Sequence, residues 1–224
     1  CRGTIDAQTG ETSWSADLPT STAPAIAGPN LLVAESDSGV VLTALDTAKK
    51  RAGTTVAADW ATVIGGRVYL DTAGIVTRAD AATLVTDTDF RADVDGAVTA
   101  IVEAGDAVVV AVDDTVLRIR GKAGDDIDRL DAGVAAIDTL IDLGAGLVAV
   151  GGADGLALID TEGGELASIG DVLADLELVR AATSGSEQRL IALDGDRLEV
   201  VRVDREGLVL DAEVAAGAAD AAAI

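Results

Sequence analysis

Asp87, Asp89, Asp93 and Asp95, running into Gly96, are the side chains best spaced to do chemistry in this chain. Residues two apart on an extended segment point the same way, so these carboxylates could turn oxygens to one side and hold a hard cation such as calcium. Arg91 interrupts the row, which favours a solvated connection over a metal site. Asp125, Asp126, Asp128 and Asp131 are read the same way. The chain has no histidine, which removes Ser-His-Asp and Cys-His catalysis and the commonest zinc ligand together. Its one cysteine, Cys1, allows no internal disulfide framework. Two carboxylates could serve a glycosidase, but 39 acidic residues leave no means of choosing the pair. The doublets Gly65-Gly66, Gly151-Gly152 and Gly163-Gly164 lack the helix and lysine that follow a phosphate loop, and are read as strand turns.

The elements that must position these residues repeat. Ala25-Ile26-Ala27-Gly28, Val63-Ile64-Gly65-Gly66, Ile101 to Gly105, Leu140 to Gly144 and Leu178-Val179-Arg180 open successive units about 38 residues apart. Each opening is followed by a turn and an apolar run: Leu31 to Ala34, Val68 to Leu70, Ala107 to Val112, Leu147 to Val150, and Leu190 to Leu193. A small or acidic turn then leads into a second run, which ends at Asp46, Asp80, Asp160 or Asp204 in four of the five units. A weaker fourth segment closes each unit. Four short strands repeating at this period predict an all-β protein, a β-propeller of four-stranded antiparallel blades. Blades are placed near 23–60, 61–98, 99–137, 138–176 and 177–214, with Val33, Val68, Val109, Val148 and Ile191 at equivalent buried positions on the second strands. Ile224 stands about as far beyond Asp204 as Ile64 stands beyond Asp46. Residues 1–224 are therefore expected to be a single propeller domain truncated at both ends, five full blades plus part of a sixth from a ring of six to eight.

A formal charge of −23 argues against nucleic acid or an anionic membrane surface as partner, since phosphate binding needs a clustered positive field. The basic groups Lys49-Lys50-Arg51 and Arg118, Arg120 and Lys122 are read as solvated turn or strand-edge charges. The acidic, lysine-poor and alanine-rich composition suits an actinobacterial source, with a haloarchaeal one as alternative. No run is long and apolar enough to span a bilayer. Cys1 aligns with Val41, inside the third strand of a blade, so a small buried strand residue is expected there in preference to a lipidated anchor.

Ile5-Asp6-Ala7-Gln8-Thr9-Gly10-Glu11-Thr12-Ser13-Trp14 resembles the tryptophan-docking motif of pyrroloquinoline-quinone-like propeller repeats. Asp6 would cap the turn, Thr9 and Gly10 would tighten it, and Trp14 would cover the seam to a neighbouring blade. Ala23 to Gly28, Leu31 to Val33, Asp37-Ser38-Gly39 and Leu45-Asp46 resemble the next family repeat, while later units lose the tryptophan. For the family's quinone enzymes the resemblance implies an aromatic platform, a calcium ion beside the quinone, a vicinal disulfide and a catalytic Asp. One cysteine forbids that disulfide, and Trp14 and Trp60 are accounted for structurally, so no cofactor and no enzyme activity are expected. The resemblance instead implies an extracytoplasmic, membrane-associated propeller of the cell envelope that recognises protein partners or acts as a scaffold, anchored through flanking sequence. The alternative is a degenerate quinoprotein-like or hydrolytic enzyme whose site lies on blades absent from this chain.

Overall fold

In the computed structural model the described residues form β-strands and no helix. The description covers the backbone of the strands between residues 2 and 215 and of the connections within 58–153 and 155–170; side chains are described at 58–153, 155–163, 188–191, 199–203, 208 and 209. Strands β1 (Arg2–Ile5) and β2 (Thr12–Ala16) form an antiparallel pair. The first four-stranded sheet holds β3 (Ala25–Ala27), β4 (Asn30–Glu35), β5 (Gly39–Ala44) and β6 (Lys50–Gly53). The second holds β7 (Trp60–Ile64), β8 (Arg67–Thr72), β9 (Ile75–Asp80) and β10 (Thr86–Asp93), and the third β11 (Val98–Ala104), β12 (Ala107–Val112), β13 (Thr115–Arg120) and β14 (Asp126–Leu130). The fourth holds β15 (Thr139–Gly144), β16 (Leu147–Gly152), β17 (Gly155–Asp160) and β18 (Gly164–Gly170), and the fifth β19 (Leu176–Ser184), β20 (Glu187–Asp194), β21 (Arg197–Asp204) and β22 (Gly207–Ala215). Within each sheet every strand neighbours the next in sequence and every pairing is antiparallel, the topology of a propeller blade.

The chain divides into two compact units, residues 1–97 with 122–125, and residues 98–121 with 126–224. In the first, one face of the second blade buries Val68 and Leu70 with Ala58 and Ala81, and Ala61, Val63 and Leu84 pack against them. Tyr69, between Val68 and Leu70 in sequence, is also fully buried and meets Phe90 edge-to-face at 6.1 Å.

Among the described residues of the second unit, apolar side chains pack along two seams. Val102, Val109 and Ala111 of the third blade pack with Val148, Val150, Ala157 and Ile159 of the fourth. The alternate residues Ala149, Leu156 and Leu158 of that same fourth blade pack with Leu190, Val201 and Val203 of the fifth. Period-two alternation thus splits β16 and β17 between two neighbours, and both faces are apolar. The expected equivalence of second-strand residues changes accordingly. Val68, Val109 and Val148 are all fully buried, but Val109 and Val148 meet in one seam and so occupy opposite faces of their blades. Ile191 is only half-buried, and the side chain of Val33 lies outside the described residues. A strand covered on both faces reads as an unbroken apolar run, so its sequence does not reveal the one-residue offset that exchanges its faces.

Asp80 and Asp160, each the last residue of a third strand, make turns. Asp80 Oδ1 accepts from the backbone N–H of Ala82 (3.1 Å) and Thr83 (2.8 Å) and from Thr83 Oγ1 (2.8 Å). Asp160 Oδ1 accepts from the N–H of Glu162 at 2.8 Å. In both, a short carboxylate satisfies amides that the departing ladder leaves without partners. The tight connection before β16 uses Ala145 and Gly146, both at positive φ, as a twisted two-residue hairpin demands.

Candidate functional site

Asp87 and Asp89 lie on β10, Asp93 is its last residue, and Asp95 follows it. The strand is not straight. Thr86 pairs with Ala79 and Arg91 with Thr77, so Arg78 alone stands opposite Asp87 to Phe90 and the edge strand bulges around it. Arg78 fills the bulge: its Nε donates to Asp87 Oδ2 at 2.7 Å, and its guanidinium carbon lies 4.4 Å from the centroid of Phe90. Asp87 Oδ1 accepts the Asp89 amide at 3.0 Å, and Asp89 Oδ2 lies 2.9 Å from Lys122 Nζ. The Arg78 hydrogen bond, followed by that amide, holds the Asp87 carboxyl below its ordinary range. Asp93 and Asp95 are exposed. The row therefore engages separate cations, and among the described residues no three carboxylate, thiol or imidazole groups converge as metal ligands. Beside the bulge is an open surface pocket of 270 Å³, lined by Arg67, Arg78, Asp80, Val85, Thr86 and Asp87, with Val85 67% exposed.

A second arginine-centred cluster corrects the reading of Arg118 and Arg120 as solvated charges. Arg118 is only 8% exposed, and Arg120 is partly buried. Arg118 Nη2 donates to Asp128 Oδ2 at 2.7 Å, and Arg120 Nη2 donates to the same oxygen at 3.0 Å. Arg120 Nε stands 3.3 Å from Asp126, and Glu162 Oε2 stands 3.8 and 3.9 Å from the two guanidinium groups. Arg118 Nη1 donates to the backbone carbonyl of Thr161, in the turn between β17 and β18. Lys122 is exposed, as expected of it.

Register explains the cluster. Arg118 sits directly opposite Asp128, and Arg120 directly opposite Asp126, across the β13–β14 pair. Opposed charges at facing positions of a hairpin attract. A hairpin centred on Ala123 makes both pairs at once, and that symmetry is the sequence signal for them. The sequence carries a second signal: Arg78-Ala79-Asp80, Arg118-Ile119-Arg120 and Arg202-Val203-Asp204 place an arginine two residues before the end of a third strand. Arg78 and Arg118 both bind an aspartate of the fourth strand, and Arg202 is half-buried and engaged as well.

The Arg118 hydrogen bond holds the Asp128 carboxyl below its ordinary value of 3.8. A group that binds its proton less tightly when folded contributes stability in full above its unfolded pKa and loses it as pH falls through the folded one. The stability gap between the parent chain and Asp128→Asn is accordingly expected to be open at neutral pH and to close below pH 3.8. Urea midpoints across that range measure it, and a gap independent of pH would mean that Asp128 acts by shape and not by charge.

Of the docking motif, Asp6, Thr9 and Gly10 lie outside the described residues, as does Cys1, and Trp14 is described as backbone only, opposite Thr4. Trp60, the other tryptophan accounted for structurally, is the first residue of β7 and is partly buried.

No family model matches the chain, and no curated protein matches it in sequence. Solved structures match it in fold. KlHsv2 with its loop 6CD replaced by a Gly-Ser linker superimposes with a TM-score of 0.73 at 11% identity, over 96% of this chain and 78% of that one. BamB from Moraxella catarrhalis gives 0.61 at 15%, over 94% and 69%. The dihydro-heme d1 dehydrogenase NirN, in complex with DHE, gives 0.63 at 17%, over 94% of this chain and 50% of that one. All three are β-propellers, and identities this low carry the fold and nothing finer. The chain has the β-propeller fold.

Proposed function

We propose that this propeller recognises protein partners or spaces the parts of a larger assembly, as a non-catalytic member of the pyrroloquinoline-quinone-like repeat group in the cell envelope. One observation carries the reading: the side chains best suited to chemistry are engaged with one another. Asp87 holds Arg78, Asp89 holds Lys122, and Asp128 holds Arg118 and Arg120. A catalytic carboxylate needs a reacting atom in front of it, whereas a recognition surface needs only a rigid frame that presents its turns. The envelope location rests on the family resemblance and on the fold likeness to BamB. Among the described residues no helix is long and apolar enough to cross a membrane.

A second reading, a degenerate quinoprotein-like or hydrolytic enzyme with its site on blades absent from this chain, draws on the fold likeness to NirN. Melting the full-length protein, with all its blades, separates the two. A bound calcium ion or quinone stabilises the folded state with the logarithm of its saturation. With calcium, chelator or pyrroloquinoline quinone added at fixed ionic strength, the melting temperature is expected to stay where screening alone puts it. A calcium-specific rise reversed by chelator, or a quinone-dependent rise, would sink the non-catalytic reading. Cross-linking and mass spectrometry on the full-length protein in its own membranes would then identify the partner.

A further inference from the structure

We infer that Arg118 is a latch that fixes the Thr161–Gly163 turn of the fourth blade to β13 of the third. The inference is independent of the proposed function. Aliphatic packing along the seam between these blades is non-directional, and it sets their separation without fixing where the connecting turn lies. A guanidinium presents donors in a rigid fork. In Arg118 one arm of the fork is held by Asp128 of its own blade, and the other reaches the Thr161 carbonyl of the next blade. Asp128 thus aims the side chain, and the carbonyl is what it holds. Thr161 is 4% exposed, and its amide donates to the Gly146 carbonyl at 2.9 Å, so the carbonyl that receives Arg118 is fixed from behind. Glu162, 67% exposed in its side chain and at least 3.8 Å away, adds charge without geometry.

The arrangement makes position in this turn depend on a side chain 43 residues earlier. Opening the turn should expose the amides of Thr161, Glu162 and Gly163, whose acceptors are Gly146 O, Asp160 Oδ1 and Asp160 O. Hydrogen exchange on the full chain, followed by mass spectrometry, reads this directly. Arg118→Gln is expected to speed exchange across 161–163 roughly 10-fold or more, as loss of a charge-assisted hydrogen bond should, with the amides of β12 unchanged. Asp128→Asn keeps the arginine but loosens its aim, and should give a smaller acceleration at the same amides; it decides the matter alone if Arg118→Gln does not fold. Glu162→Gln should leave exchange as it is. Unchanged exchange at the turn in both Arg118→Gln and Asp128→Asn, acceleration spread evenly over all sheets, or an equal effect from Glu162→Gln would overturn the latch.

Discussion

Phe90→Ala is expected to cost about 3–5 kcal/mol, the range for removing a fully buried ring, and at roughly 2–4 °C per kcal/mol for a chain of this length it should lower the melting temperature well beyond experimental scatter. Phe90 sits on the edge strand of its sheet, where a side chain would ordinarily meet water, yet it is 2% exposed. The bulge brings this about by placing Arg78 alone opposite Asp87 to Phe90. Tyr69 then meets the ring at an interplanar angle of 83°, and Arg78 covers a face. The segment at Gly124 closes the remaining side so tightly that a Cβ there would stand 3.1 Å from Phe90 Cε2. The Arg91 amide donates to the Ala123 carbonyl at 2.9 Å, which pins that segment in place. Truncation would leave a cavity between groups that cannot collapse and would remove the ring face from Arg78. Phe90→Leu, which refills much of the volume and restores no π face, should lose less. Equal losses in the two variants would locate the effect in the arginine contact and not in the cavity.

Periodicity made the blades legible because each one needs the same four strands and the same turns at the same spacing. Legibility stopped at the faces of the strands. The run Ala107 to Val112 is buried at every position, so nothing in it distinguishes Val109 from Val108, and only the seam with Val148 and Val150 shows which way each points. The Asp87 row was legible as a candidate and misleading as geometry. Its alternate spacing implies one shared direction only on a straight strand, and the bulge at Arg78 gives Asp87 and Asp89 different cations instead. Arg118 failed for another reason. A cation in a chain of charge −23 reads as solvated by default, yet its place on a third strand puts it in register with Asp128, and Arg118 is buried against a carboxylate that stays half-exposed. Charge counting averages over the surface; pairing in a sheet is decided two residues at a time.

Among the described glycines, Gly152 is the one where an added methyl meets the closest backbone. The doublet Gly151-Gly152, read from sequence as a turn, forms the end of β16, and the connection into the fourth blade runs against it. A Cβ on Gly152 would lie 2.3 Å from the Ala135 carbonyl oxygen, 2.8 Å from Val134 Cγ1 and 3.1 Å from the Ala136 carbonyl oxygen. Two of those three obstacles are backbone, so no side-chain rotation relieves the clash. The connection would have to move away and weaken the hydrogen bonds from Ala153 N–H to Ala135 O and from Asp138 N–H to Gly151 O, now 3.0 and 3.2 Å. Overpacking of this kind costs about 3 kcal/mol at the upper end of its usual range, and Gly152→Ala is expected to reach it. Gly66→Ala is the control. It adds the same methyl where nothing lies within 4 Å, at a φ of +83°, so its cost is conformational alone, on the order of 1 kcal/mol. Urea midpoints of the two variants separate steric contact from backbone preference. If they fall equally, the close approach at Ala135 yields more easily than its distances imply, and the junction between the third and fourth blades rests on its apolar seam and on Arg118 instead.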